Sequence, residues 1–397
     1  MLKMRFNILI IYMFSLFSSV SFAEDSVEKN KVFYAGLGFI SQANDIPQKF
    51  KYLCLASAGE NTDGCISSQE SIFYKALIEA KSDHLVFTGG ESQEKNAYIM
   101  AVAIDRENLN IQKFNNGYSL IFDLSAQIIL VNFSDKKVVG TYPIAVRYAD
   151  FADQNPSKAY IAKTFHQMLY NPEFPVSLLS EFKKRVPELR IFRERLNIRF
   201  GQMELSKQAS EYLQSQNVDL SSFQRWMGEN FSKSLSYEQS MPVLPFVTGD
   251  AIGKKMPLKV SNRREAMNLT IPPADYVVDV KLRGLFKKKL GETNKRLAWS
   301  YVNGLALTFK HATSNRPPYF EGKFKYGRVK EVPKSLAATD DIGEFEESVI
   351  SLMNQISTNL TEADKSWLKE HMGKKAKVKK VVKDLKGLDA KVLSKVR

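Results

Sequence analysis

Cysteine is almost missing from this 397-residue chain, with only Cys54 and Cys65 present, and histidine occurs four times. His84, His166, His311 and His371 stand apart, with no H-E-x-x-H, no pair at helical spacing and no cysteine-histidine set. A zinc site has no ligand pattern to rest on, and a packed or surface role is the better reading of each histidine. No G-x-S-x-G places a serine at a strand-to-helix elbow, which removes the commonest acyl-transfer machinery. The run from Gly249 to Lys255 has three residues between its glycines and no Ser or Thr after Lys254, so it is no phosphate loop. Gly89 and Gly90 read as a turn. Carboxylates such as Asp279 and Glu292 are too common for sequence proximity to argue acid-base chemistry, which depends on separation in space. Pro-rich and Gly/Ser-rich tracts are also lacking, and the 44% hydrophobic and 25% charged composition is that of folded material.

Only the N-terminus carries a long apolar run. Lys3 and Arg5 precede the apolar stretch 6–20, and Ser21 and Ala23 place small residues at the −3 and −1 positions of a cleavage site before Glu24. This is the three-zone pattern of a secretory signal peptide. An uncleaved anchor is the competing reading, but a spanning helix needs roughly 20 apolar residues. No later stretch of 18 uninterrupted apolar residues occurs, so a soluble exported product with no transmembrane segment is expected. Export also gives the cysteines their meaning. Cys54 and Cys65 bracket a segment rich in Gly, Asn and Asp that can turn back on itself, and a structural disulfide is expected.

The mature length exceeds what one core usually organises and predicts two domains or more. Charge is uneven: the last 24 residues hold nine lysines and one arginine against Asp384 and Asp389, a net +8 out of the whole chain's +14. Val378, Val381, Val382, Leu385, Leu388, Val392 and Val396 recur every three or four residues, which suits a basic helix with a narrow apolar stripe. Such an end is either a solvated mobile tail or an arm attracted to an anionic surface. A second basic run holds Lys281, Arg283, Lys287, Lys288, Lys289, Lys295 and Arg296; protection of a sheet edge by lysines explains it as well as docking does. Candidate contacts for an anionic partner are therefore Lys287, Lys288, Lys289, Lys374, Lys375, Lys377, Lys379 and Lys380. Nucleic acid is a poor partner, because export removes the chain from it and no aromatic-basic reading motif occurs, and no cofactor is expected.

Two long stretches run through the same order of elements. The first has a strand at 31–40, a helix at 69–80, strands at 97–104, 118–132 and 138–148, and a helix at 157–169. The second has a strand at 197–203, helices at 206–214 and 221–236, strands at 276–285, 298–310 and 319–329, and a helix at 343–360. A connecting helix is expected at 175–195. The fold class that follows is α+β: two duplicated domains, each a mostly antiparallel sheet with helices packed on one face, plus a C-terminal basic helix or tail. The expected division is a signal peptide at 1–23, domains at 24–172 and 196–360, a connector at 173–195, and a tail at 361–397.

The segments DYVVDVKLRGL, WSYVNGLALTFKHA and YFEGKFKYGRV, following an amphipathic helix, resemble the amino-terminal domain of TolB. They also resemble related periplasmic domains of the curli secretion channel and of flagellar outer-ring proteins. AYIMAVAI, YSLIFDLSAQIILVNF and VVGTYPIAVRY in the first half look like a looser version. The resemblance implies an exported bacterial domain that binds protein partners without catalysis. The expected function is thus a scaffolding component of an envelope assembly, most simply in the periplasm of a Gram-negative bacterium. Its alternatives are an envelope hydrolase with an unrecognised acidic site and a secreted effector.

Overall fold

A strand that is apolar on both faces has to be covered twice, and residues 98–104 of this chain make that demand. The computed structural model of this chain describes residues 29–396 except 58–64, 66–70, 90–96, 115–116, 192–195, 247–254, 261–264, 315, 335–339 and 374–377. The expected signal peptide, the turn at Gly90 and most of the 249–255 segment lie outside the described residues.

The first half opens with β1 (Asn30–Phe39), short helices α1 (Ile46–Lys49), α2 (Lys51–Ser57) and α3 (Ser71–Ala80), and β2 (Leu85–Thr88). Three long strands follow: β3 (Tyr98–Phe114), β4 (Gly117–Asn132) and β5 (Lys137–Ala152). Helices α4 (Lys158–Tyr170) and α5 (Leu178–Arg185) complete it, α4 being capped by Ser157, whose hydroxyl accepts from the Tyr160 N–H. Met100, Val102, Ile104, Phe122 and Tyr142 meet Phe73, Phe165 and Phe182 of the helices in one core. Glu107, half-buried on β3, accepts from the N–H groups of Tyr52 and Leu53 at 2.9 and 2.8 Å, so the first turn of α2 is capped by a strand.

The second half has β6 (Ile198–Leu205), α6 (Lys207–Ser215), α7 (Leu220–Glu238), β7 (Lys255–Val260) and β8 (Met267–Thr270). It continues with β9 (Tyr276–Glu292), β10 (Arg296–His311), β11 (Phe320–Pro333), α8 (Asp341–Glu362), α9 (Lys365–His371) and α10 (Val378–Lys391). Its sheet runs β11-β10-β9-β6, with β6 and β9 parallel and the remaining pairs antiparallel. The strands β1, β3, β4 and β5 are ordered likewise in the first half, with β1 parallel to β3. The α+β class holds, with two mixed sheets.

Two findings depart from the expected plan. The hairpin of β7 and β8 lies in the second half's sequence but pairs with the first half's sheet, β8 against β5 and β7 against β1. It closes that sheet into a partial barrel around Phe33, Ile99, Ala101, Ile129, Leu258 and Leu269, covering the face that the helices leave. Helices on one face alone therefore does not describe this sheet. Closure requires Gly38, where an added Cβ would stand 2.3 Å from the Lys259 carbonyl oxygen.

The C-terminal segment is likewise no tail: α10 is docked, with Val381, Val382, Leu385, Leu388, Val392, Leu393 and Val396 all buried in the second half's core. The apolar stripe read from the sequence is a packing face, and the lysines project from the other side. Among the described residues, no helix is long and apolar enough to cross a membrane.

Candidate functional site

The upper parts of β3, β4 and β5 present polar residues at alternate positions toward the second half. On β4 these are Asp123, Ser125 and Gln127, between the core-facing Phe122, Leu124, Ala126 and Ile128. Helices α7 and α8 bring Glu229, Lys233 and Glu346 against them, and the two halves meet through ions. Arg106 donates to Glu229 at 3.0 Å. Arg147 Nε donates to Asp123 at 2.6 Å, and Nη2 donates to Glu346 at 2.6 Å. The guanidinium also lies over the Trp226 ring, 5.8 Å from its centroid. These five charged side chains are only 15 to 20% exposed.

Arg185, fully buried at the end of α5, pairs with Glu188 and reaches across to Ser236 Oγ at 2.7 Å. It is sandwiched near the rings of Tyr142 and Tyr237. Lys233 donates to the Ala145 carbonyl. Together these contacts form a clamp between the halves.

A cleft of about 360 Å³ lies on one side of the clamp, lined by Asp105, Ile144, Trp226, Glu229, Lys233 and Asn354 among others. A second space of about 420 Å³ lies on the other side, beside Asn108, Asn217, Asp219 and Asp340. Burial pushes the Glu229 carboxyl up to about 7, against the pull of Arg106. Burial also raises Glu346, against Arg147, and raises Asp105, which accepts from Ser125 and Gln127. The Arg147 guanidinium is held firmly charged by Asp123 and Glu346 in spite of its burial, while burial lowers Lys233. The acids of the cleft are engaged: Glu181 with Lys184, and Glu238 with the Thr358 hydroxyl, besides those named above.

The residues singled out from sequence fall elsewhere. Cys54 and Cys65 form a disulfide at the edge of the first half's core, with Cα atoms 3.9 Å apart. The lysine triplet divides. Lys287 turns toward α8, bonds Asp341 at 2.7 Å and lies 4.2 Å from the Trp299 ring centroid, while Lys289 pairs with Glu292. Lys288 is exposed on the opposite face and forms no ion pair among the described residues. Lys379 and Lys380 are exposed on α10, and Lys374, Lys375 and Lys377 lie outside the described residues.

Asp279 and Glu292 are far apart on β9, paired with Lys310 and with Lys289 and Lys334. Three of the four histidines pack against rings, His166 on Tyr170, His311 on Tyr276 and Tyr319, and His371 on Trp367, while His84 is half-buried just before β2 with its backbone N–H donating to the Ser82 hydroxyl. Among the described residues, no group of three His, Cys, Asp or Glu side chains could hold a metal ion.

No protein-family model matches the chain, and no curated protein matches it. One solved structure with some likeness is a hypothetical protein of Chlamydia trachomatis. It is 11% identical over 42% of this chain and 92% of its own, at a TM-score of 0.24, which is too slight a likeness to carry an argument.

Proposed function

We propose that this chain is an exported, non-catalytic protein of the bacterial cell envelope that holds protein partners as a scaffolding component of an assembly. The observation that carries the reading is the clamp. The concave space between the halves is organised by carboxylates already committed to Arg106, Arg147, Ser125 and Gln127, so they serve to fix two sheets as one body. The export pattern at 1–23 and the disulfide agree with a compartment outside the cytoplasm. The resemblance to TolB-type periplasmic domains supports partner binding, and the shared strand order of the halves supports their origin in one duplicated unit.

Fractionation followed by affinity capture from envelope extracts tests this reading. The expected result is a chain lacking residues 1–23 in the periplasmic fraction, retaining a stoichiometric protein at low salt. Recovery in the cytoplasm, or in the medium as for a secreted effector, contradicts it.

One observation favours the hydrolase alternative: Glu229, raised to about 7, borders the cleft and has the charge state of a general acid near neutrality. Activity profiling of the purified protein against envelope polymers, beside a Glu229→Gln variant, separates the two readings. Turnover abolished by that substitution would establish the hydrolase.

A further inference from the structure

The helices α6 to α10 cover one face of the second half's sheet and leave the other open. Strand register fixes what stands there. Across β9, β10 and β11 the rows read Lys281, Ala306, Lys323; then Gly284, Gly304, Lys325; then Phe286, Val302, Gly327; then Lys288, Ser300, Val329. Arg283 sits at the bulge beside Gly284. The middle strand is therefore a floor of small side chains between two basic walls, about 10 Å apart and running for about 20 Å. Among the described residues, Arg283, Lys288, Lys323 and Lys325 form no ion pair, whereas Lys281 is held by Glu204. Phe286 and Val329 are 57 and 58% exposed, the highest values among the large apolar side chains described. Two such residues on one basic face, beside the half-exposed Val302, are not what a merely solvated sheet surface needs.

We infer that this open face docks a partner protein through a segment carrying Asp and Glu side chains around an apolar one. The inference rests on the scaffold reading and names the chemistry of the partner. The acidic groups meet Arg283, Lys288, Lys323 and Lys325, and the apolar residue seats on Phe286, Val302 and the bare backbone of Gly327. A second copy of the chain is a poor occupant, because a two-fold contact through this face would set lysines against lysines. An anionic bilayer fits less well than a protein, because Glu204, Asp279, Glu321 and Glu331 share the face by register and three of them already neutralise Lys281, Lys310 and Arg296, which leaves the free positive charge as a local patch rather than a continuous surface. Fixed charges of both signs around an apolar centre suit a partner whose own charges are fixed in place.

The test uses the full mature chain and defined probes. These are a fluorescent 16-residue peptide of Glu, Asp, Leu and Phe, its Gln/Asn counterpart, and vesicles containing phosphatidylglycerol. The acidic peptide is expected to bind at 50 mM salt and to weaken by at least tenfold at 0.5 M. Joint Lys288→Glu, Lys323→Glu and Lys325→Glu substitution should weaken it by at least about thirtyfold, and Phe286→Ser by about tenfold, while Lys379→Glu with Lys380→Glu leaves it unchanged. All these side chains are exposed, and near-UV circular dichroism checks that each variant keeps the native fold. The inference is overturned if the acidic peptide does not bind or if the triple variant binds it equally. It is overturned likewise if the amide peptide binds as well, or if vesicles bind through the same lysines. Peptide binding needs no cell compartment, so its failure is distinct from a failure of capture in envelope extracts.

Discussion

Removing the Arg147 guanidinium probes the clamp most sharply. Arg147→Met keeps the length of the stem but leaves Asp123 and Glu346, 16 and 15% exposed, facing each other without their shared cation. Breaking a buried pair on one side typically costs 3 to 5 kcal/mol, and residual exposure places this site near the lower end, at about 3 kcal/mol. That is a large share of the 5 to 15 kcal/mol of a typical fold. The loss should depend on pH. Burial raises Glu346 from its ordinary 4.5 to about 7, so the folded chain binds that proton more tightly than the unfolded one. The stability so gained is present below about 4.5 and lost as pH rises through about 7. Ionised Glu346 is tolerated at pH 8 because Arg147 is there, so the substitution should cost most at pH 8 and distinctly less at pH 5. Urea unfolding at both pH values, with a double-mutant cycle through Glu346→Gln, measures this, and a coupling of about 1 to 3 kcal/mol is expected. A loss under 1 kcal/mol at pH 8, or an equal loss at both pH values, would refute the clamp.

The docked C-terminal helix predicts that Leu388→Ala lowers stability by about 2 to 5 kcal/mol, whereas Lys383→Ala, on the exposed side, changes it by less than about 0.5 kcal/mol, both read from thermal unfolding. Replacing Cys54 and Cys65 by serine should cost about 3 kcal/mol in the chain-entropy account of a loop with a sequence separation of 11, and intact mass with alkylation should find no free thiol in the exported parent. Gly38→Ala should part β7 from β1, because its Cβ meets the Lys259 carbonyl, and hydrogen exchange should quicken at Val260 and Met256 while the sheet of β6, β9, β10 and β11 stays protected.

Much of the fold was legible from periodicity. The strand at 118–132 matches β4, and the Ser157 and Ser206 caps open α4 and α6 where the apolar spacing begins. The lengths of β3 and β9 were not legible, because their outer ends carry polar residues such as Asn108, Asn110 and Lys288 that read as loop or turn. The hairpin of β7 and β8 is not legible for a different reason. Its strands, six and four residues long, carry too little pattern, and what holds them is the bare apolar face of β3 and β4, far away in the chain. The clamp does leave a trace in the sequence: Asp123, Ser125 and Gln127 interrupt an apolar strand at every second position, which marks a second face with polar company. The partners of that face, Glu229 and Glu346, are ordinary helix acids in sequence and acquire their role only from the packing of α7 and α8. The tail was legible as a stripe, but its length gave no sign that a core lay ready to receive it.

Photo-crosslinking in the native cell asks directly whether this protein holds another protein. A benzophenone side chain in place of Phe286 should yield one discrete adduct with an exported protein, whose crosslinked peptide is rich in Asp and Glu. The adduct should disappear when Lys288, Lys323 and Lys325 are also made Glu. A chain that gives no protein adduct from position 286, or only adducts with lipid, would contradict it.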